Sequence, residues 1–336
     1  MGYDNTAVGF ASLYLNTAGY GNTASGTNSL FNNTTGYLNT AIGAGALYTN
    51  ELGYRNTATG YGALNLNTTG NDNTATGMYA LYHNNGIGNT ANGAYALYYN
   101  TAGNHNTAVG EESLNNSLTD NNTAVGYSSL FNNGGVGNTA IGYNSDVVNA
   151  FVNNGTAIGN GAIVGLSNRI RMGNVLVTSV ESFGTFNSLS DARFKTDIKE
   201  NVKGLDFILK LRPVTYQIDK EKYVSFETAQ MPEKKRAALL AGYGDALKQK
   251  GITRSGFLAQ EVVQAMKQSG YDFDGVTIPE NEATQNYSLA YGNFTVPLVK
   301  AVQEQQAVIE ALKKESDEMK KKQQEMEKRL LLLEKK

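Results

Sequence analysis

The 336-residue chain predicts a mainly β N-terminal repeat followed by an α+β domain and a C-terminal coiled coil. Three observations predict it: a short motif recurring through the first half, a step in charge near residue 190, and an unbroken heptad at the end. The repeat fits a β-solenoid or β-roll, and equally an intertwined trimeric β-shaft. The implied divisions are residues 1–165 for the repeat, 166–190 for a β connector, 191–297 for the α+β domain and 298–336 for the coiled coil.

The repeat motif is Asn-Thr-Ala-x-Gly, starting at Asn5, Asn22, Asn39, Asn56, Asn73, Asn89, Asn106, Asn122 and Asn138, at steps of 16 or 17 residues. A tenth copy, Asn154 to Gly159, reads as carrying an inserted Gly155. Eight residues after each starting Asn stands a leucine, from Leu13 to Leu130, until the ninth copy places Asp146 there. Gly, Asn and Thr at these densities are poor helix material and good turn material. A Gly at a fixed place marks positive φ or close backbone approach. The Ala and Leu positions read as two stacked apolar ladders, each rung too small to bury its apolar face without neighbours. A disordered linker of the same composition has no reason to hold a leucine at constant offset.

An aromatic follows the leucine in most rungs: Tyr14, Phe31, Tyr48, Tyr82, Tyr98 and Phe131. Strand neighbours face opposite ways, so these predict an outward ladder. It serves either to stiffen the shaft, the favoured reading, or to contact a carbohydrate or receptor. Glycosidase chemistry is not expected, because Glu111 and Glu112 are adjacent and no rung carries a second acidic pair.

Up to Ser190 the only basic residues are Arg55, Arg169 and Arg171; the other 25 Lys and Arg follow it. The net charge of −2 gives no general attraction to nucleic acid. Without cysteine there is no disulfide framework and no thiolate metal site, and no metal or cofactor is expected. The start MGYDNTAVGF lacks the layout of a secretion signal, and no apolar run is long enough to span a membrane, so membrane insertion is not expected. The segment before the charge step is richer in β-branched and aromatic residues: Val175, Val177, Val180, Phe183 and Phe186.

After it come Ser190-Asp-Ala-Arg-Phe-Lys195-Thr-Asp-Ile198, Leu205-x-x-Ile208-x-x-Leu211-Arg-Pro213-Val-x-Tyr216, Gly256-Phe-Leu-Ala-Gln260-Glu261-Val262, Tyr287-Ser-Leu-Ala-Tyr291 and Leu298-Val-Lys-Ala301. In content and order this series resembles the endosialidase-type intramolecular chaperone family that ends many phage tail spikes and fibres. The resemblance spans about residues 190 to 312. It implies a domain that trimerises the β-structure ahead of it and is then released by autoproteolysis between Ser190 and Asp191. It also implies a Ser-Lys dyad, here Ser190 and Lys195, acting once per chain as a serine endopeptidase with no external substrate.

The chemistry is intelligible from the residues. A lysine acts as base when burial or a nearby cation lowers its pKa. The chain's two histidines, His83 and His105, both lie in the repeat, so no Ser-His-Asp triad is at hand. Attack by Ser190 on its own carbonyl would close a strained four-membered ring. Two routes avoid that: attack by the serine of another chain, or by water activated through the Ser190–Lys195 pair. Asp191 stands ready to assist, or to cap a turn. Gln260 and Glu261 read either as polar contacts near the cut or as the start of a helix packed by Val262, Val263 and Met266. Glu221 to Gly251, with Lys234-Lys-Arg236, reads as a helical insertion with a solvated charged face and no assigned chemistry.

From Leu298 onward Val302, Gln305, Ile309, Leu312, Ser316, Met319, Gln323, Met326, Leu330 and Leu333 alternate steps of four and three, the signature of a coiled coil. The resemblance makes it a trimer. The whole then reads as a trimeric tail-fibre-like attachment protein of a virion. Its expected partners are two further copies, a phage tail or baseplate component at the N-terminus, and a host-surface receptor, with a glycan among the candidates. A trimeric adhesin of the bacterial cell surface carrying the same module is the alternative.

Overall fold

The structure, a computed structural model, describes residues 2–183 and 187–333; Phe186, counted above in the connector, lies outside the described residues. Among the described residues the α-helices are α1 (Leu205–Ile208), α2 (Lys220–Glu227), α3 (Glu233–Tyr243), α4 (Ala259–Ser269) and α5 (Thr295–Leu333). The chain divides into two units, Met1–Glu181 with Asp219–Gly251, and Ser182–Ile218 with Ile252–Lys336.

In the first unit each motif supplies one three-residue strand, beginning with Thr6–Val8 and Thr23–Ser25. Among the described residues these stack in chain order into an 11-stranded parallel sheet that ends on Thr156–Ile158 and Ile170–Met172. The register repeats from rung to rung: Thr40, Ala41 and Ile42 face Thr57, Ala58 and Thr59. Each rung pairs with the next rung of the same chain, so the shaft is a parallel β-solenoid and not an intertwined one. Beyond Met172 the described connector residues, up to Ser190, carry no strand. The Asn-Thr-Ala-x-Gly motif has no further copy there to supply a strand.

Alternation within each strand turns the Ala inward, and Ala41, Ala58 and Ala75 are fully buried. From Leu30 to Leu130 the leucine column is equally buried, with Leu13 partly so, but its backbone is unusual. From Leu13 to Leu130 each of these leucines has φ between 46° and 54°. That left-handed conformation costs a non-glycine residue about 1–2 kcal/mol, while burying a leucine side chain returns about 1.5–3 kcal/mol. Burial outweighs the strain. The motif Gly answers both expectations: φ is 130° at Gly60, and a Cβ there would stand 2.6 Å from the Gly77 carbonyl oxygen.

Two asparagine columns bind the rungs. In the first, the amide of Asn56 donates to Asn39 Oδ1 at 3.0 Å and its Nδ2 donates to the Gly70 carbonyl at 2.8 Å. In the second, Asn67 Nδ2 donates to Asn50 Oδ1 at 2.9 Å and to the Gly70 carbonyl at 3.0 Å, and its Oδ1 accepts from Asn84. These side chains are buried, so the bonds replace water one for one. The second column is broken at Ser117, and Asn100 Oδ1 is left buried without a partner.

The solenoid changes at its C-terminal end. Gly155 is not an insertion: its amide donates to Asn138 Oδ1 at 2.8 Å, so it takes the asparagine's place in the column. Asp146 takes the leucine's place, between Leu130 and Ile163, and is buried. A second small parallel sheet, Asp146–Val147 with Ile163–Val164, forms on that side. Helices α2 and α3 pack on it, with Val224, Met231, Leu239 and Tyr243 joining the solenoid's apolar cluster. The face read as solvated therefore needs correcting at Lys235, which is buried against Asp146.

The second unit has a core of Phe207, Val262, Ala265, Phe273 and Phe294. Strand Val214–Tyr216 pairs antiparallel with Arg254–Gly256, and Val276–Thr277 with Ser288–Leu289. Residues 219–251 thus leave from the loop of the first pair. Glu304 of α5 accepts the Leu205 amide at 2.7 Å, which ties α1 to the long helix. Beyond this core α5 runs exposed, with Val302, Ile309, Leu312, Met319 and Met326 uncovered.

Closing the broken asparagine column is expected to stabilise the solenoid. Ser117→Asn should raise the thermal midpoint, by the equivalent of about 1 kcal/mol, and Asn67→Ser should lower it by about 2–3 kcal/mol. Circular dichroism melts of the two variants check the opposite signs.

Candidate functional site

The Ser190–Asp191 junction is shaped by a single turn. Asp191 caps the 3₁₀ helix Ala192–Phe194, its carboxylate accepting the Arg193 amide at 2.9 Å. Lys195 closes the turn by donating its amide to the Ala192 carbonyl at 3.2 Å. The turn carries the Lys195 side chain back over the junction, where Nζ donates to Ser190 Oγ at 2.9 Å. Ser190 and Lys195 are thus brought within hydrogen-bond distance, and both are exposed.

Asp191 is engaged elsewhere. Arg193 Nη2 donates to its Oδ2 at 2.6 Å and Nε to its Oδ1 at 3.1 Å, a forked pairing. The hydrogen bonds from the Arg193 side chain and then from its amide hold the Asp191 carboxyl below the usual carboxylate range. A carboxylate so held stays an acceptor and is a poor proton carrier. Sequence reasoning missed Arg193; the signal was present in the i, i+2 spacing of opposite charges across a turn.

The family-like motifs gather in the second unit. Gly256 lets Tyr291 approach, since a Cβ there would stand 2.1 Å from the Tyr291 hydroxyl, which accepts the Phe257 amide at 3.0 Å. Ala301 is buried on the first turns of α5. Gln260 is exposed, and Glu261 accepts from Arg212 Nη2 at 2.5 Å, joining two of the motifs. Val262 and Ala265 are the residues of α4 that enter the core.

On the solenoid the expected aromatic ladder is present, with Tyr14, Phe31 and Tyr48 stacked at 5.2–5.3 Å. A second ladder, Tyr3, Tyr20, Tyr37 and Tyr54, stacks at 4.8–4.9 Å. That is the inter-strand spacing of a sheet, so the rungs set the stacking. Asn65 interrupts the first ladder and leaves a groove of about 320 Å³ bordered by Tyr48, Tyr61, Tyr79 and Tyr82.

Residues 190–271 match the model of a peptidase family described as chaperone of endosialidase. The match begins on Ser190 and takes in Lys195, Arg212 and Glu261. The chain therefore carries a C-terminal chaperone domain of that family, whose activity is self-cleaving. Neither the curated proteins nor the solved structures compared gave a match.

Burial separates the two readings of the Gln260–Glu261 motif. Val262→Ala should cost about 2 kcal/mol in denaturant titration. Glu261→Gln, which weakens a largely solvated pair, should cost less than about 1 kcal/mol.

Proposed function

We propose that the chain is a trimeric fibre protein of the tail-fibre kind, whose C-terminal domain aligns three chains, lets the solenoids fold, and is then cut from them between Ser190 and Asp191. The observation that carries this reading is the family match beginning on Ser190, with Lys195 Nζ at 2.9 Å from its hydroxyl.

Ser190 and Lys195 act as the dyad. Both lie open to solvent in the single chain, whereas a lysine base requires burial or a neighbouring cation. Assembly supplies that environment, so the cut waits for the trimer. Water, or the serine of another chain, adds to the Ser190 carbonyl carbon while Lys195 takes the nucleophile's proton. The C–N bond to Asp191 then breaks and the proton passes to the departing amine. An ester formed with a second serine is hydrolysed in turn. By either route the end groups are a Ser190 carboxylate and an Asp191 amine.

Trimer formation is supported by the uncovered seam of α5. A 39-residue helix with apolar side chains every three or four residues, exposed in one chain, needs partners to bury them. The fibre sits on a virion, attached to the tail or baseplate through its N-terminus. Its outward tyrosines, and the groove between Tyr48 and Tyr82, meet the host surface, with a glycan as the natural ligand for stacked rings.

Denaturing gels test the cut. Folded wild-type protein should give fragments of 190 and 146 residues, and Ser190→Ala and Lys195→Met should each give one full-length band. A wild type that stays intact after trimerising would overturn the reading. Light scattering should report a trimer for Ser190→Ala and a smaller species when Ile309→Lys and Leu312→Lys are added to it. A trimer that survives both changes would remove the seam from the account.

A further inference from the structure

The chain passes between its two units three times, at 181/182, 218/219 and 251/252. A cut after Ser190 severs the first passage only. The fragment beginning at Asp191 keeps residues 219–251, and these are packed into the solenoid. We propose that this helical insertion is a non-covalent clamp that keeps fragment 191–336 bound to fragment 1–190 after the cut. Lys235 is its key and Asp146 the lock.

The packing is of interior quality. Val224, Leu239 and Tyr243 enter the same apolar cluster as Val147, Ile163 and Val164. Lys235 pairs with Asp146, their side chains 8% and 6% exposed, and its Nζ also reaches the Ser128 carbonyl at 3.3 Å. A second anchor lies on the last strand. Arg171 Nη1 donates to Glu227 Oε1 at 2.5 Å and to the Tyr223 hydroxyl at 2.9 Å, while that hydroxyl donates to Glu227 at 3.0 Å. Burial pushes the Glu227 carboxyl up, with Arg171 opposing it.

The lock is selective because its position is occupied by leucine elsewhere. From Leu13 to Leu130 the column is apolar, and within that column Asp146 alone offers a carboxylate. Slipped by one rung, the clamp would bury the Lys235 ammonium against Leu130 and leave Asp146 unpaired. Each of those is a desolvated charge without a partner. The repulsive alternative, more than the pair itself, gives the choice of rung. The clamp thereby reads the C-terminal end of a repeat whose other rungs are near copies.

The test follows the fragments after the cut by size-exclusion chromatography under native conditions, identifying them on denaturing gels. In wild-type protein the two should co-elute. Lys235→Met should loosen them about a hundredfold or more, and Asp146→Leu with Lys235→Met should restore co-elution by making the column apolar throughout. Should Lys235→Met fail to fold, Arg171→Met tests the second anchor, with faster separation expected. A parallel chain carries Ser190→Ala and a recognition sequence for an added endopeptidase next to Leu189. It tests the clamp whether or not the protein cuts itself. Wild-type fragments that part at once, or clamp variants that hold as tightly as wild type, would overturn the proposal.

Discussion

Everything in the first unit depends on buried asparagine amides that bond from one rung to the next. Each carboxamide sits in an apolar interior, where an unmade hydrogen bond costs about 1–3 kcal/mol. The partner it needs is the matching asparagine or glycine carbonyl of an adjacent rung. A rung is therefore satisfied only inside a stack. The leucine column tightens this, because its left-handed backbone is tolerable only while the side chain is buried. Stacking is thus compulsory, and it is also indifferent to register, since a slip by one rung restores nearly every bond.

Indifference to register is what the C-terminal features address. In the proposed assembly, the seam of exposed leucine, isoleucine and methionine on α5 gathers chains before any rung forms. Asp146 marks one rung near the C-terminal end of the repeat, and in the proposed clamp the insertion carrying Lys235 pairs with that mark. The junction at Ser190 lies on a solvated turn held by Asp191 and Arg193. The proposed cut on this exposed turn would sever the backbone without disturbing either core. In the proposed assembly, a solenoid that later loses the clamped fragment can no longer refold with its guide, and its persistence becomes a matter of unfolding rate.

Much of this was legible in the residues. Spacing alone gave the rungs, the inward Ala and Leu, the Gly that no other residue replaces, and the outward ladder from Tyr14. Asp146 stood out as the break in the leucine column. The asparagine columns were hidden because Asn is read first as a turn residue, and nothing local says that its amide will be buried. The single-chain solenoid could not be told from an intertwined shaft, since both stack equal rungs. Lys235 was misread for a related reason: in a Lys-Lys-Arg run, burial comes from a partner 89 positions earlier in the chain. Arg193 shows the opposite case, a pair with Asp191 two positions away that forms because the turn folds the two side chains together.

The order of events is the central claim, and mass measured alongside oligomeric state tests it most directly. During refolding of the full chain, samples would be separated by size and each fraction weighed by intact-protein mass spectrometry. The account predicts that monomer fractions contain only the 36.1 kDa chain. Masses for residues 1–190 and 191–336, the latter starting on Asp191, should arise only in trimer fractions. Cut fragments within the monomer, or a trimer that keeps the full mass indefinitely, would contradict it.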